Sequence, residues 1–323
     1  MDLKEILEPI DRDLEIFDTH FKKAIRSKIA FVDLIARYIV KQKGKRIRPA
    51  LVLLSAKACG NINESTHRGA SLVEILHTAT LIHDDVVDES DTRRGFPSIN
   101  AVWKNKIAVL MGDYMLAKGL LLSLDNNDFQ FLKITSDAVR RMSEAEILQI
   151  KKSRDLDIDE STYLKIISDK TASLFATCCE IGATSATSDI SVHKEMHAFG
   201  ENLGMVFQIR DDLLDYTSRM SITGKPTGLD VKEKKLTLPL IHALSKAPKS
   251  ESKEILRIIK NGAKKKELTK IIAFAEQYGG IEYALQRAEE YSNRALDALQ
   301  VLPDSSAKTS LQAFVKFVME RKK

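Results

Sequence analysis

Apolar side chains recur along most of this chain at the i, i+3, i+4 spacing of an amphipathic α-helix. No long segment keeps the alternation of apolar and polar residues that predicts a half-buried strand. Turn residues such as Gly60-Asn61 and Gly279-Gly280 separate the helical runs. The sequence therefore predicts an all-α protein with helices at residues 3–20, 28–41, 49–59, 66–89, 99–123, 127–152, 159–184, 189–219, 232–246, 250–260, 265–278, 280–301 and 306–321.

One segment departs from the helical pattern. Residues 218–235 combine Gly224, Pro226 and Gly228 with several lysines, which is too polar and too broken for a core helix. We expect a mobile loop there that closes over a phosphate group. The chain has no linker rich in Pro or Ser and no fixed-period repeat, so residues 1–323 are expected to form one helical domain.

Acidic residues crowd the C-terminal end of the helix predicted at 66–89, where the helix dipole disfavours carboxylates. Asp84 and Asp88 are four residues apart and share one face, so the two anions repel unless a divalent cation lies between them. Carboxylate oxygens with room for water and phosphate suit magnesium, and the arginines that follow, Arg93 and Arg94, suit a diphosphate. A solvated acidic helix end explains this motif about equally well when it is taken alone.

The same DDxxD spacing occurs again at Asp211, Asp212 and Asp215, inside a second apolar helical run. Two motifs so far apart in the chain cannot be one low-complexity patch. We expect them to face each other across a cavity and to hold a metal-bridged anion.

The basic half of the site is predicted before the first motif. Lys45, Arg46 and Arg48 lie between Gly44 and Pro49, at the start of an apolar helix, and their charges suit a diphosphate. A solvated basic turn is the alternative. His77 precedes Asp84 by seven residues and shares its helix face, although a buried histidine often only satisfies a backbone carbonyl.

Composition excludes several classes of protein. The 44% hydrophobic residues support a large core, and a net charge of +5 with 6% aromatic residues gives no reason to expect nucleic-acid binding. The acidic N-terminus is unlike a signal peptide, and no run approaches the roughly 18 apolar residues of a transmembrane segment. A cytoplasmic protein is expected, with Cys59, Cys178 and Cys179 as reduced thiols.

These motifs, in this order, resemble the polyprenyl synthetase family, the trans-prenyl diphosphate synthases. The resemblance runs from about Lys43 to Pro239 and includes Lys43-Gly44-Lys45-Arg46-Ile47-Arg48-Pro49 and Gly224-Lys225-Pro226. It implies a single-domain isoprenoid synthase-type bundle around a central cavity, a homodimer and two or three Mg²⁺ ions. Lys43 and Lys234 stand where the family usually has glycine, which puts the geometry of those two loops in question.

The resemblance also assigns residues to roles. The isopentenyl diphosphate site corresponds to Lys45, Arg48, His77 and Arg94. The allylic diphosphate site corresponds to Arg93, Lys170, Thr171, Gln208, Lys225 and Lys235. Magnesium would be held by Asp84, Asp88, Asp211 and Asp215. Catalysis would depend on Asp84, Asp88, Asp211, Lys170, Thr171 and Gln208.

The activity implied is head-to-tail condensation of isopentenyl diphosphate with an allylic diphosphate such as farnesyl diphosphate. In the resembled family, short-product members carry an aromatic residue four or five positions before the first aspartate. Ala79, Thr80 and Leu76 precede Asp84 here and carry no aromatic ring. The resemblance therefore implies a long product of about seven to nine isoprene units, of the kind used in quinone side chains. Such a product implies peripheral membrane contact during its release. Ordinary helix packing also explains these three residues. The rival activities are a shorter-chain synthase, a class I terpene cyclase and a non-catalytic subunit of a heteromeric synthase.

Overall fold

A computed structural model describes residues 2–42, 44–217 and 229–321 of the chain. The structure is 82% helical, which confirms the all-α prediction. The first helices are α1 (Leu3–Leu7), α2 (Asp11–Ala24), α3 (Ala30–Lys41), α4 (Ile47–Cys59), α5 (Glu64–Val87), α6 (Ile99–Leu124), α7 (Phe129–Asp155) and α8 (Glu160–Ile167). They are followed by α9 (Ser173–Ala186), α10 (Ile190–Thr217), α11 (Leu229–Lys232), α12 (Leu238–Lys246), α13 (Lys249–Lys260), α14 (Lys265–Gln277), α15 (Gly280–Ala298) and α16 (Ser306–Met319).

Several predicted helices differ from those observed. The helix predicted at 3–20 breaks into α1, a 3₁₀ turn and α2, because Pro9 has no backbone N–H to continue it. The helix predicted at 232–246 is also wrong, since α12 begins only at Leu238, with Pro239 in its first turn. The helix predicted at 159–184 is divided into α8 and α9 by a π-helical turn, Ser168–Ala172.

A short β-hairpin, which the sequence analysis did not predict, follows α5. Its strands are β1 (Thr92–Arg93) and β2 (Phe96–Pro97), with Arg93 opposite Phe96. The connecting residues, Arg94 and Gly95, both have positive φ, at 53° and 79°. Two consecutive positive φ values are what the tightest antiparallel hairpins require, so Gly95 fits this turn without strain and Arg94 does not.

The chain divides into two compact units. The first contains the residues up to Asp137 and those at Thr177–His197 and Val301–Leu311, and the second contains the residues at Ala138–Ala176 and Ala198–Gln300 and those from Gln312 onward. The single domain expected over residues 1–323 stays a prediction.

In the first unit, α5 and α6 run antiparallel in close contact. A Cβ atom at Gly119 would lie 3.3 Å from Cδ1 of Leu72, and Gly112 lies against the ring of His83. One buried hydrophobic cluster joins α3, α5 and α6, with Ile39, Ile75, Ala79, Ile82, Met111 and Met115 among its members. This packing fixes the C-terminal end of α5, where the first aspartate motif lies.

In the second unit, α10 packs closely against the π-helical turn and the start of α9. A Cβ atom at Gly200 would lie 2.5 Å from the carbonyl oxygen of Phe175, and one at Gly204 would lie 2.8 Å from Cβ of Ala172. Gln208 and Asp212 continue the same face of α10 at intervals of four residues. The two glycines therefore bring Gln208 and Asp212 beside the π-helical turn.

Helix α6 is long and apolar enough to cross a membrane by length and composition alone, with a mean hydropathy of 1.6 over its most apolar 18 residues. Its backbone leaves the helical conformation at Lys104, where φ is 71°. One such helix is weak evidence for a membrane span, because core helices of globular proteins pass the same test.

Candidate active site

The first aspartate motif occupies the end of α5, as predicted. Asp84 lies in the last turn and is half-buried, while Asp88 is the C-cap residue and is exposed. Both keep right-handed helical geometry, so their carboxylates share one face. Asp85 points elsewhere: it is buried, and its Oδ1 accepts a hydrogen bond from Nε of Arg93 at 2.9 Å. Asp85 therefore anchors the hairpin to α5.

Arg94, at the tip of the hairpin, extends towards the loop before α4. Its Nη1 donates to the carbonyl oxygen of Gln42 at 3.0 Å. A Cβ atom at Gly44 would lie 2.7 Å from Arg94 Cζ, so a side chain at residue 44 would displace the guanidinium. Gly44, which precedes the cations of the basic loop, thus leaves the space that Arg94 occupies.

The basic loop places its cations in different surroundings. Lys45 is exposed, whereas Arg46 donates to the carboxylate of Asp18. Arg48, in the first turn of α4, is near Glu74 of α5, which the sequence analysis missed. Burial raises the pKa of Glu74, and the positive charges of Arg48, Arg94 and Arg46 oppose that shift. Glu74 is therefore an internal counter-charge within the arginine group.

His77 lies one turn beyond Glu74 on α5 and is buried. Burial lowers its pKa well below 6.5, and the charges of Arg48, Arg94 and Arg93 lower it further. The imidazole is therefore neutral at physiological pH and offers one donor and one acceptor. The structure thus brings together three of the four residues predicted for the isopentenyl diphosphate site, Arg48, His77 and Arg94, with Arg93 beside them.

The chain-length residues predicted before Asp84 have different environments. Leu76 and Thr80 precede Asp84 by eight and four residues, so they share its face, and Thr80 is half-buried. Ala79 is fully buried in the cluster that joins α3, α5 and α6. Of these residues, Thr80 lies directly below Asp84, and Ala79 belongs to the packed core.

The second aspartate motif lies near the end of α10. Asp211 is exposed, and its Oδ1 is 3.4 Å from Nη1 of Arg321. Oδ2 of Asp215 accepts a hydrogen bond from the backbone N–H of Asp230 at 3.0 Å. Two predicted metal ligands therefore already have partners on other segments of the second unit.

Asp212, the middle acid of this motif, is buried and holds two side chains. Its Oδ2 accepts from the hydroxyl of Tyr163 at 2.6 Å, and its Oδ1 accepts from Nε2 of Gln208 at 2.7 Å. Oε1 of Gln208 accepts in turn from the hydroxyl of Thr171 at 2.8 Å. Burial raises the pKa of Asp212 well above its usual range, and the charge of Asp230 adds to this, while the two donors oppose it.

Lys170 and Thr171 are carried by the π-helical turn. Nζ of Lys170 donates to Oε1 of Gln149 at 2.7 Å and pairs with Glu146, both on α7. The turn itself is held by Asp169, whose Oδ1 accepts from Nε of Arg141 at 2.7 Å. A diphosphate at this site would have to compete with Glu146 for Lys170.

The segment after the second motif begins, within the described residues, at α11. Burial raises the pKa of Asp230 to about 7, and the nearby charge of Asp215 adds to this while that of Lys235 opposes it. Lys234 has a φ of 59°, and its N–H donates to the carbonyl of Val231 at 3.1 Å. A left-handed residue after a helix is where glycine is preferred, so Lys234 has a backbone conformation that suits glycine. Lys225 and the other predicted loop residues before 229 lie outside the described residues.

Metal binding is supported by donor chemistry only. Among residues 2–42, 44–217 and 229–321, no three His, Cys, Asp or Glu side chains lie close enough together to share a metal ion. Asp84 and Asp88 supply two carboxylates on one helix face, the oxygen donors that magnesium prefers. The magnesium site stays a prediction.

Sequence reasoning missed Glu74, Tyr163 and Asp230. An acid three residues before His77 in an apolar helix was a usable signal for Glu74. Tyr163 gave none, because a tyrosine at an apolar helix position is typical of a core residue. Asp230 lies in a polar segment that the sequence analysis interpreted as a loop, so nothing in the pattern indicated that this side chain is partly buried.

Comparisons with known proteins agree with this geometry. The model of a family described as Polyprenyl synthetase matches residues 30–275. An all-trans-nonaprenyl-diphosphate synthase (geranyl-diphosphate specific) from Rhodobacter capsulatus is 38% identical over 98% of both chains. An octaprenyl diphosphate synthase from Escherichia coli is 35% identical over 99% of both.

A crystal structure of a polyprenyl synthase from Caulobacter crescentus, complexed with calcium and isoprenyl diphosphate, superposes with a TM-score of 0.91 at 31% identity. The superposition covers 100% of this chain and 98% of that one. This likeness confirms the isoprenoid synthase fold that the sequence predicts.

Proposed function

Because the chain belongs to the polyprenyl synthetase family and is a prenyl diphosphate synthase, we propose that it condenses isopentenyl diphosphate with an allylic diphosphate to make a long all-trans polyprenyl diphosphate. The observation that carries this proposal is the group formed by Arg48, Arg93, Arg94 and His77 beside the aspartate end of α5. A cyclase needs no such place for a second diphosphate, and a non-catalytic subunit would not need both aspartate motifs.

In the proposed reaction, the bond between C1 of the allylic substrate and its diphosphate breaks and leaves an allylic cation. The double bond of isopentenyl diphosphate attacks that carbon, and the loss of one proton restores an allylic diphosphate. The released diphosphate accepts the proton. Fixed cations stabilise the transition state more than the ground state, because negative charge grows on the leaving group.

The residues divide between the two substrates. Lys45, Arg48, His77 and Arg94 bind isopentenyl diphosphate in this proposal, and Arg93, Lys170, Lys225 and Lys235 bind the allylic diphosphate. Asp84, Asp88, Asp211 and Asp215 would hold two or three Mg²⁺ ions, which neutralise charge on the leaving diphosphate when bound. Thr171 and Gln208 direct oxygen dipoles towards the allylic carbon.

Product length is the finer part of the proposal. The face of α5 below Asp84 carries Thr80 and Leu76 instead of an aromatic ring, which leaves room for a growing chain. The relatives named for nonaprenyl and octaprenyl products support about seven to nine isoprene units. A shorter product, such as geranylgeranyl diphosphate, is the alternative.

The test is turnover by the purified protein with magnesium, isopentenyl diphosphate and farnesyl or geranyl diphosphate, followed by mass analysis of the extracted alcohol. A product of seven to nine units supports the whole proposal. A product of three or four units contradicts the length alone. Consumption of the allylic substrate without isopentenyl diphosphate would instead indicate a cyclase.

A cytoplasmic homodimer completes the proposal. The apolar side chains exposed on α6 include Leu110, Leu120, Leu121 and Leu124. A second copy of the chain would remove this apolar surface from water, which favours association. Sedimentation should give twice the chain mass of 36.2 kDa, and Leu110→Glu with Leu121→Glu should reduce it to one chain.

A further inference from the structure

We propose that Tyr163 and Asp212 are positioning residues for catalysis, which act by fixing the side-chain amide of Gln208 and, through it, the hydroxyl of Thr171. Both side chains are buried, so we expect them to act through Gln208 and not on the substrate itself. The inference rests on the proposed roles of Thr171 and Gln208 in stabilising the allylic cation.

The four side chains form one chain of hydrogen bonds across three elements. Tyr163 comes from α8, Thr171 from the π-helical turn, and Gln208 and Asp212 from α10. The bonds run from Tyr163 to Asp212 at 2.6 Å, from Gln208 to Asp212 at 2.7 Å and from Thr171 to Gln208 at 2.8 Å. Tyr163 and Gln208 both donate to Asp212, and Thr171 donates to Gln208.

The direction of these hydrogen bonds determines which atom of Thr171 is left to interact with a ligand in the neighbouring cavity. Because the NH₂ group of Gln208 donates to Asp212, its amide oxygen faces Thr171. The Thr171 hydroxyl donates its only hydrogen to Gln208, so its oxygen keeps a lone pair that can accept from another partner. Thr171, Gln208 and Lys170 line a cavity of about 140 Å³ in the second unit, and the buried side chains of Tyr163 and Asp212 lie in its wall. An oxygen with its lone pair turned to that cavity stabilises positive charge there.

Burial makes the arrangement rigid. Tyr163 is 3% exposed and Asp212 is 6% exposed, so neighbouring side chains hold both in place. Without the tyrosine hydroxyl, Oδ2 of Asp212 loses its partner and the carboxylate can rotate to share the amide of Gln208. The orientation of the amide, and with it that of Thr171, then becomes variable.

Tyr163→Phe is the variant that tests this, because it removes one oxygen atom and keeps the ring. We expect kcat to fall about tenfold, while KM for both diphosphates stays within about twofold, since cations and metal rather than Gln208 bind the diphosphates. Tyr216→Phe is the matched control. Tyr216 is also buried in the second unit, and its hydroxyl bonds to Thr237 at 2.9 Å, outside the Asp212 chain. It should leave kcat and KM unchanged.

A double-mutant cycle separates positioning from general destabilisation. In a Gln208→Ala background, Tyr163→Phe should have no further effect on kcat, because the residue through which it acts is gone. If Tyr163→Phe does not fold, Asp212→Asn takes its place in the same cycle, since an asparagine has a single acceptor oxygen for two donors.

Three results would overturn the inference: an unchanged kcat in Tyr163→Phe, a rise in KM in place of the fall in kcat, or the same loss in both backgrounds. If the wild-type protein turns over no diphosphate, the proposed function itself fails and this inference fails with it. If the wild type is active and Tyr163→Phe matches it, only the positioning role is wrong.

Discussion

Gly44 lies against the guanidinium of Arg94, so closely that a Cβ atom at residue 44 would stand 2.7 Å from Arg94 Cζ. Glycine is favoured at residue 44 because Arg94 occupies the space that a side chain would fill. The obstructed group is the end of a flexible side chain, which can move aside at little cost to folding.

Gly44→Ala should therefore impair substrate binding without unfolding the protein. We expect KM for isopentenyl diphosphate to rise about tenfold, equivalent to about 1.4 kcal/mol, with a melting temperature close to that of the wild type. Arg94→Ala should show the same defect, and the double variant should be no worse than Arg94→Ala. Additive effects in the double variant would mean that Gly44 acts independently of Arg94.

Asp84→Ala and Asp211→Ala should each lower turnover by about three orders of magnitude with the fold intact, since each removes a proposed metal ligand on the leaving diphosphate. Asp125→Ala, at the exposed end of α6, removes an acid outside the site and should match the wild type. Steady-state turnover with circular dichroism as the fold check measures this. Near-normal turnover in either site variant would remove that residue from the metal site.

Thr80→Phe should shorten the product, because it places a ring directly below Asp84 on the same face. A product of about three or four isoprene units is expected from a protein of near-normal stability. Ala79→Phe is the contrasting variant: Ala79 is fully buried, so the ring should cost roughly 1–3 kcal/mol of unfolding free energy by overpacking. If Thr80→Phe is active and still releases the long product, the product does not pass Thr80.

His77 should make the protein sensitive to acid. Its pKa in the folded protein lies well below 6.5, so below pH 6.5 the unfolded chain binds a proton that the folded chain does not. Stability is therefore full above pH 6.5 and falls as the pH drops, by about 1.4 kcal/mol per pH unit for this group. Urea unfolding between pH 7.5 and 5.5 should show a smaller loss for His77→Gln. Burial also lowers the pKa of His67, which accounts for part of the remaining slope; equal slopes in the two proteins would contradict the prediction.

Lys234→Gly should stabilise the protein by about 1 kcal/mol, because a left-handed residue after a helix suits glycine better than a residue with a Cβ atom. Lys232→Gly, within α11, should instead destabilise it. Thermal unfolding of the two variants compares the effect on stability of the same Lys→Gly substitution at a left-handed residue and at a helical one. A loss of stability in Lys234→Gly would show that the lysine side chain contributes more than its backbone conformation costs.

Much of the fold was predictable because a long run of apolar residues at helical spacing indicates where a helix lies. The helix expected at 66–89 is observed at Glu64–Val87, and the one expected at 99–123 at Ile99–Leu124. The breaks at Pro9 and Pro239 were visible in the sequence, since proline interrupts backbone hydrogen bonding. The π-helical turn was not predictable, because the apolar spacing continues through it.

The residues of the site were predictable where charge stood out against an apolar background, as at Asp84 and Asp211. Their connections were not. Contacts such as that of Tyr163 with Asp212 join residues 49 positions apart, and no local pattern encodes them. The same holds for Arg94, whose place at the tip of a hairpin depends on a positive φ that arginine seldom adopts.

The π-helical turn Ser168–Ala172 also bears on how this chain can change. An α-helix turns by about 100° per residue, and a π-helical turn accommodates one additional residue. Loss of a single codon within it would let α8 and α9 join as one regular helix. Helices α8 and α9 would keep their faces, but the residues of the turn would shift by one position relative to α10, so Lys170 and Thr171 could no longer both keep their places. Insertions and deletions at this turn should therefore be tolerated far less than the exposure of Lys170 would suggest.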